Sequence, residues 1–350
     1  MPVKRDCLQM VGTPAVSVLL PVRDAEVTLE AAVRSVLASE GADLELICVD
    51  DRSKDGTPAL LRGFARRDPR VRVLDAPRRG LVAALNRGLA QARAACVARM
   101  DADDEMHPRR LARQLEFLAR HPQVALVGCR VESFRSGGLA EGYRIYTDWV
   151  NALVEEGEIR REALVECPVP HPTWMFRSRI VLGLGGYRER PWPEDLDLLY
   201  RLLATGRRVA KLPEVLHRWR DHPGRLSRVD PRYGRPAFAR AKAHWIGRLR
   251  PMRAAVLWGA GRTGRRFSRL LAAEGIPTRA FVDIHPGRTG SAWRGIPVLS
   301  TRDLDARVSE WQAEGVPVLG AVASRGARGE IRAHLRGLGL REGSDFLMVA

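Results

Sequence analysis

Lysine is nearly absent from this chain: Lys4, Lys54, Lys211 and Lys242 stand among 58 basic residues in 350, so the net charge of +17 is carried by arginine. That charge is spread along the sequence, not gathered in a tail, and suits phosphorylated ligands, an anionic membrane or nucleic acid without choosing among them. Zinc-finger spacing and a basic region joined to heptads are both missing, so no nucleic-acid partner is expected. Cysteine is scarce too. Cys7, Cys48, Cys96, Cys129 and Cys167 are odd in number and scattered, which excludes a disulfide framework and predicts a reducing, cytoplasmic compartment. Long apolar runs are lacking as well. The segment CLQMVGTPAVSVLLPV (7–22) follows Lys4 and Arg5 as a signal peptide would, yet it has no small-residue cleavage site and is too short to span a bilayer. Its second half reads as a buried strand.

What is present is a folded composition, 45% hydrophobic and 28% charged with no low-complexity tract, in a chain long enough for two domains. From 16 to 129 short apolar runs (VSVLLPV, LELICVD, VRVLDA, CVARMD, VALVGC) alternate with segments whose apolar residues recur three and four apart (LEAAVRSVLAS, PALLRGFARR, LVAALNRGLAQAR, RRLARQLEFLARH). This βαβα order predicts a parallel sheet covered by helices. From about 130 to 235 the pattern is less regular, with Pro, Trp and His clustered in CPVPHPTWMF and RPWPEDLDLLYRL. The predicted organisation is a first domain over 14–235, a basic helical linker over 236–252, and a second βαβ unit over 253–350.

Ligands of such sheets sit beyond the carboxyl ends of the strands, and the acidic turns fall there. Asp50 and Asp51 end LELICVDD. Asp101, Asp103, Asp104 and Glu105 place four acids within five positions after CVARM. Carboxylates so crowded raise one another's pKa unless a cation lies among them, and an oxygen-rich acidic site selects Mg²⁺ or Mn²⁺, typically together with substrate phosphates. The competing explanation is local: an acid-rich turn before Pro108 at the first helical position complements the dipole of the helix that follows. The same alternative holds for Glu194, Asp195 and Asp197, which open the helical pattern LLYRLLATG.

Taken together and in order, SVLLPVRDAEVTLEAAVRSVL, VDDRSKDGT, ARMDADDEMHPRRLARQLEFLARHP, HPTWMFR, LGGYRERPWPEDLDLLYRLLATG and LPEVLHRWRDHPGRLSR resemble the family 2 glycosyltransferases, inverting enzymes of the GT-A fold, across nearly all of 16–235. The resemblance implies an α/β fold, a GT-A-type nucleotide-diphospho-sugar transferase domain; the small Rossmann-like α/β domain expected to follow it rests on the last hundred residues. It implies a metal-assisted, inverting transfer from a nucleotide-sugar donor to a hydroxyl acceptor, a polysaccharide, lipid-linked or other glycan. Pro21, Arg23, Asp50, Asp51, Arg79 and Asp101 would contact the donor nucleotide, Asp103 and His222 the metal. Asp195 would be the general base, placed with help from Glu194, while His171 is expected to be structural. Asp24 stands where the family often has Asn, and Arg52 where Gly is common. A lipid-linked acceptor would bring the protein to the inner face of an anionic membrane as a peripheral partner. A sugar nucleotidylyltransferase would instead want a glycine-rich basic loop after the first strand, where this chain has PVRDAE. A nucleotide sensor with a relic first domain is the non-enzymatic alternative.

The last hundred residues restart the alternation at AAVLWGAGRTG. Gly259, Gly261 and Gly264 follow a predicted strand and open a predicted helix, and Asp283 ends the next strand, the arrangement of a dinucleotide turn with an acid for a ribose hydroxyl. The stretch resembles Rossmann-like domains appended to sugar-modifying and C-methyltransferase proteins. NAD(P), another nucleotide or a purely packing role for the glycines are all compatible with the sequence.

Overall fold

The computed structural model describes residues 12–350, in two compact units. Cys7 and the first half of the signal-like segment lie outside the described residues. Among those described, no helix is long and apolar enough to cross a membrane.

The first unit comprises residues up to Ile159, Pro168–Arg190 and Glu194–Val229. It is built on an eight-stranded mixed sheet: β1 (Val16–Val22), β2 (Leu44–Asp50), β3 (Val71–Asp75), β4 (Cys96–Arg99), β5 (Glu105–Met106), β6 (Val124–Phe134), β7 (Met175–Arg177) and β8 (Arg208–Arg220), in the order β3-β2-β1-β4-β7-β6-β8-β5. The first four strands are mutually parallel, as predicted. Every residue of β1 and β2 is buried, which explains their unbroken apolar runs: a sheet covered on both faces has no wet side to alternate with. The covering helices bury one stripe each. Leu29, Ala32, Val33 and Val36 do so on the helix Leu29–Leu37, and Thr57, Leu61 and Phe64 on Thr57–Arg67. Fully burying each Leu or Phe contributes roughly 1.5–3 kcal/mol, which outweighs any single local propensity.

Beyond β4 the sheet departs from the parallel pattern. β7 runs antiparallel between β4 and β6, β6 and β8 pair in parallel, and the two-residue β5 closes the edge antiparallel to β8. The strand Glu105–Met106 stands directly after the acidic turn, and the next helix starts only at Arg110 with Arg109 as its cap. Pro108 is therefore not at a helical position, and the helix-dipole explanation of the acids at 101–104 fails on register. The corresponding explanation at Glu194 holds, since the helix Glu194–Ala204 has Glu194, Asp195 and Asp197 in its first turn.

The second unit comprises Asp230–Ala350 with Arg160–Cys167 and Pro191–Pro193. Its sheet joins β9 (Ala255–Trp258), β10 (Thr278–Val282), β11 (Ala292–Trp293), β12 (Ile296–Leu299), β13 (Val318–Gly320) and β14 (Phe346–Met348) in the order β11-β12-β10-β9-β13-β14. All pairings are parallel except β11 with β12. The helix Arg235–Leu249, expected as a linker, groups with this unit. It buries Ala237, Ala241, Trp245 and Ile246, and its Lys242 Nζ donates to the carbonyls of Val165 and Val349 at 2.6 and 3.0 Å.

Candidate active site

Parallel neighbours end on the same side of a sheet, so Arg23 after β1, Asp50 and Asp51 at the end of β2, and Asp101 after β4 emerge at one edge of the first unit. Pro21 lies buried inside β1, opposite Val49. Arg23 is exposed and 3.4 Å from Asp24, and Arg79 is exposed on the loop after β3.

Asp50 and Asp51 are both nearly buried, and each holds a turn. Asp50 Oδ1 accepts from the Ser53 backbone and hydroxyl at 3.2 and 2.5 Å. Asp51 Oδ1 accepts from the backbone N–H of Gly80 at 2.8 Å; Gly80 has φ 125°, a conformation that favours glycine. Asp24 and Arg52, the two departures from the family pattern, are both left-handed, with φ of 48° and 60°. Arg52 thus keeps the backbone conformation that glycine would adopt without strain.

The acidic turn supplies each carboxylate with its own partner. Asp101 Oδ1 accepts from Arg99 Nη2 at 2.5 Å, and Arg99 is buried at 2% exposure. Burial works against the Arg99 charge, but Asp101, with Tyr187 and Glu194 behind it, outweighs that and raises its pKa. Asp103 Oδ2 lies 2.8 Å from His222 Nε2. Burial would raise this carboxyl, yet the His222 hydrogen bond and the Arg225 charge overcome it and the net direction is down. Arg225 is held in turn by the Tyr143 hydroxyl and by the Trp219 ring, 4.5 Å from its centroid.

Asp104 is different. At 1% exposure its Oδ1 accepts from the Arg220 N–H at 2.8 Å, and its Oδ2 lies 2.9 Å from His217 Nε2. Arg110 Nη1, which can only donate, is 3.0 Å from His217 Nδ1, so His217 carries its proton on Nε2 and donates it to Asp104. Burial, helped by Arg110, holds His217 well below its ordinary range, while burial and the neighbouring Asp103 and Asp101 push Asp104 well above its own. Both Asp104 oxygens are therefore engaged, whereas Asp101 and Asp103 each keep an oxygen outside these bonds.

Ligand oxygens of Asp101, Asp103 and Asp104 lie within 4.8 Å of one another. His222 Nε2, hydrogen-bonded to Asp103 Oδ2 at 2.8 Å, stands beside this group. The oxygen-rich donor set fits Mg²⁺ or Mn²⁺.

Glu194 and Asp195 reach the same region through buried polar groups: His171, expected to be structural, and Tyr187 and Arg99, which the sequence did not single out. Glu194 is 2% exposed with His171 Nδ1 at 3.8 Å, and His171 Nε2 lies 2.9 Å from the Tyr187 hydroxyl. Burial, then the Arg99 charge, keeps His171 well below its ordinary range. Burial pushes Tyr187 far up, and its hydroxyl feels Arg99, Glu194 and Asp195 together. Asp195 is half-buried and caps its own helix, Oδ1 accepting from Leu196 N–H at 2.7 Å. Asp197 instead bonds Arg201 at 2.8 Å inside the core. Arg99 was visible only as one arginine within an apolar run. Tyr187 and His217 gave no sequence signal beyond their motif segments.

In the second unit, Gly259 and Gly261 form the turn after β9 and Gly264 lies in the helix Arg262–Ala273. Asp283 Oδ2 accepts from Ala260 N–H at 2.8 Å and Arg288 Nη1 at 3.1 Å, and Oδ1 from His285 N–H at 2.9 Å. About three of its four acceptor positions are thus filled, which leaves little for a ribose hydroxyl.

Residues 17–183 match the family described as glycosyl transferase family 2. The chain is 32% identical over 213 residues to the putative glycosyltransferase EpsE of Bacillus subtilis (strain 168), covering 59% of this chain and 73% of that one. It is 39% identical over 233 residues to the succinoglycan biosynthesis protein ExoO of Rhizobium meliloti (strain 1021), covering 62% of this chain and 63% of the relative. The fold is similar to that of S. aureus TarS 1-349, solved in complex with UDP-GlcNAc, with a TM-score of 0.51 at 16% identity over 74% of this chain and 70% of that one. A relative matched over most of its length, with the acidic turns falling inside the matched span, identifies the first unit: the chain belongs to glycosyltransferase family 2.

Proposed function

We propose that the first unit transfers a sugar from a nucleoside diphosphate donor to a hydroxyl of a growing glycan, with inversion and with help from a divalent cation. The observation that carries this is the meeting, at one edge of the sheet, of the Asp50–Asp51 turn, the cluster Asp101, Asp103 and Asp104, and the helix start at Glu194. Asp50, Asp51, Pro21 and Arg23 would line the nucleotide, with Arg79 reaching from its exposed loop toward phosphate. Asp103 and His222 would hold the cation, with Asp101 beside the ribose and Asp104 kept as a positioning residue by its two occupied oxygens. When bound, Mg²⁺ or Mn²⁺ supplies Lewis-acid neutralisation of the leaving diphosphate.

The chain's own groups do the rest. Arg99, itself shielded from solvent, holds the Asp101 carboxylate in place through its hydrogen bond. Asp195 takes the proton of the acceptor hydroxyl as that oxygen forms its bond to the anomeric carbon and the diphosphate oxygen leaves with its electron pair; a single displacement inverts the centre. Glu194, fixed among His171, Tyr187 and Arg99, orients the turn that carries Asp195. A glycan product is supported by the relative named for succinoglycan biosynthesis, and the basic surface suits a lipid-linked acceptor at a membrane face. The strand order around β9 and the glycine turn support a Rossmann-like reading of the second unit.

The test is transfer from UDP-, GDP- and dTDP-sugars to candidate glycan acceptors, with Asp195→Asn beside the wild type. Turnover by the wild type in Mn²⁺, lost in Asp195→Asn with donor binding retained, supports the proposal. Undiminished turnover in Asp195→Asn refutes the assigned base.

A further inference from the structure

The second unit contains a cavity of about 840 Å³ over the carboxyl ends of β9, β10 and β13. Sites for small molecules have this size. Part of its wall is apolar, with Val322 on one side and Ile284 on the other; Ile284 is an aliphatic side chain 74% exposed immediately after Asp283. Gly261, Arg262 and Arg288 line this cavity and also a second hollow of about 440 Å³, whose floor is Trp293 with Arg265, Arg269 and Arg294.

Five guanidinium groups therefore converge on one hollow. Only Arg288 has a carboxylate, that of Asp283; among the described residues none pairs with Arg262, Arg265, Arg269 or Arg294. Arg265 Nε is shielded from solvent and has no acceptor, and Arg265 and Arg294 lie 5.7 and 5.3 Å from the Trp293 ring centroid. Arg294 is held at φ 51°, a conformation that costs a non-glycine residue free energy. Cations gathered without counter-charges repel one another, and a polyanion in the hollow relieves that repulsion.

The glycines of the turn separate into two kinds. A Cβ on Gly264 would collide with the carbonyl oxygen of Gly259, and one on Gly259 would come within 2.8 Å of Val322 Cγ2, so packing accounts for both. A Cβ on Gly261 would meet only Arg288 Nη1, at 3.7 Å. Packing does not require glycine there, and its bare backbone lies at the seam between the two hollows.

We propose that these two hollows bind one elongated ligand, a nucleoside diphosphate or a conjugate of one, with the base and ribose between Ile284 and Val322, the diphosphate across the Gly261 seam under Arg262 and Arg288, and the distal end on the arginine floor. This site belongs to the second unit alone and does not depend on sugar transfer by the first.

The test is calorimetric titration of the full chain carrying Asp51→Asn and Asp103→Asn, in EDTA, with UDP, GDP, ADP and inorganic pyrophosphate. Silencing the first unit and removing metal make the outcome independent of the transferase proposal. At least one nucleoside diphosphate is expected to bind one to one, at least tenfold more tightly than pyrophosphate, and to be weakened tenfold or more by Arg269→Glu or by Gly261→Val. Arg269 is exposed, so its variant reports on binding even where Gly261→Val perturbs the turn. Absence of binding by all three nucleotides, pyrophosphate binding as tightly as the nucleotides, or affinity unchanged within twofold in Arg269→Glu would each overturn the proposal.

Discussion

Asp103 and Asp104 are adjacent and identical in chemistry, yet their surroundings drive them in opposite directions. Asp104 has both oxygens committed to Arg220 and His217 and is pushed toward the protonated state. Asp103 faces His222 and Arg225 and is held ionised. Asp103→Asn should therefore weaken metal binding by roughly 10–100-fold or more while leaving the fold intact, as read by Mn²⁺ titration. Asp195→Asn should lower kcat by about 10²–10⁴ with little change in donor affinity, the signature of a lost general base. Away from the site, burial depresses Lys242 to about 8, only partly offset by Glu166. Below pH 8 the lysine is charged in both folded and unfolded chains, and the buried charge lowers stability. Between pH 8 and about 10.4 the folded chain has released the proton that the unfolded chain still holds, so stability rises with pH through that window. The shift corresponds to roughly 3 kcal/mol. Thermal melts from pH 7.5 to 10 should show a rise in wild type that is absent in Lys242→Met; parallel curves would contradict the assignment.

At the scale of elements, legibility followed burial on both faces. β1, β2 and β4 are short apolar runs because helices cover them, and the amphipathic stripes between them fix the helices to within about two residues. β8 was not legible as a strand: Arg208, Glu214 and Arg218 occupy positions left wet near the sheet edge, Pro213 stands in its middle, and the buried Lys211 and His217 find partners in the Val150 carbonyl and Asp104. β7, three residues long, gave too little pattern to register. The acidic turns were legible because charge crowding is a local property. Of their partners His222 alone had been named, through the resemblance; Arg99, His217 and Tyr187 acquire their roles only when β4, β8 and the loop before Glu194 are brought together. The glycine turn makes an element-level prediction. Gly264→Ala should unfold or strongly destabilise the second unit, whose helix cannot approach β9 past a methyl group, whereas Gly261→Ala should leave its melting transition within about 1 kcal/mol. Equal melting of the two variants by circular dichroism would refute this account of the turn.

For the whole molecule, the two units divide their chemistry. The first concentrates carboxylates at one sheet edge in a chain of net charge +17, a negative focus suited to a cation and, through it, to a diphosphate. The second gathers arginines at the turn after β9. The central claim is that the acidic turn works as a metal and donor site, and thermal shift of the wild type and Asp103→Asn with nucleotide sugars, with and without Mn²⁺, tests it most directly. The account predicts that adding Mn²⁺ enlarges the shift that one class of nucleotide sugar gives the wild type, and that Asp103→Asn abolishes this metal-dependent increment. An increment of equal size in both proteins, or no increment on adding Mn²⁺, would contradict it.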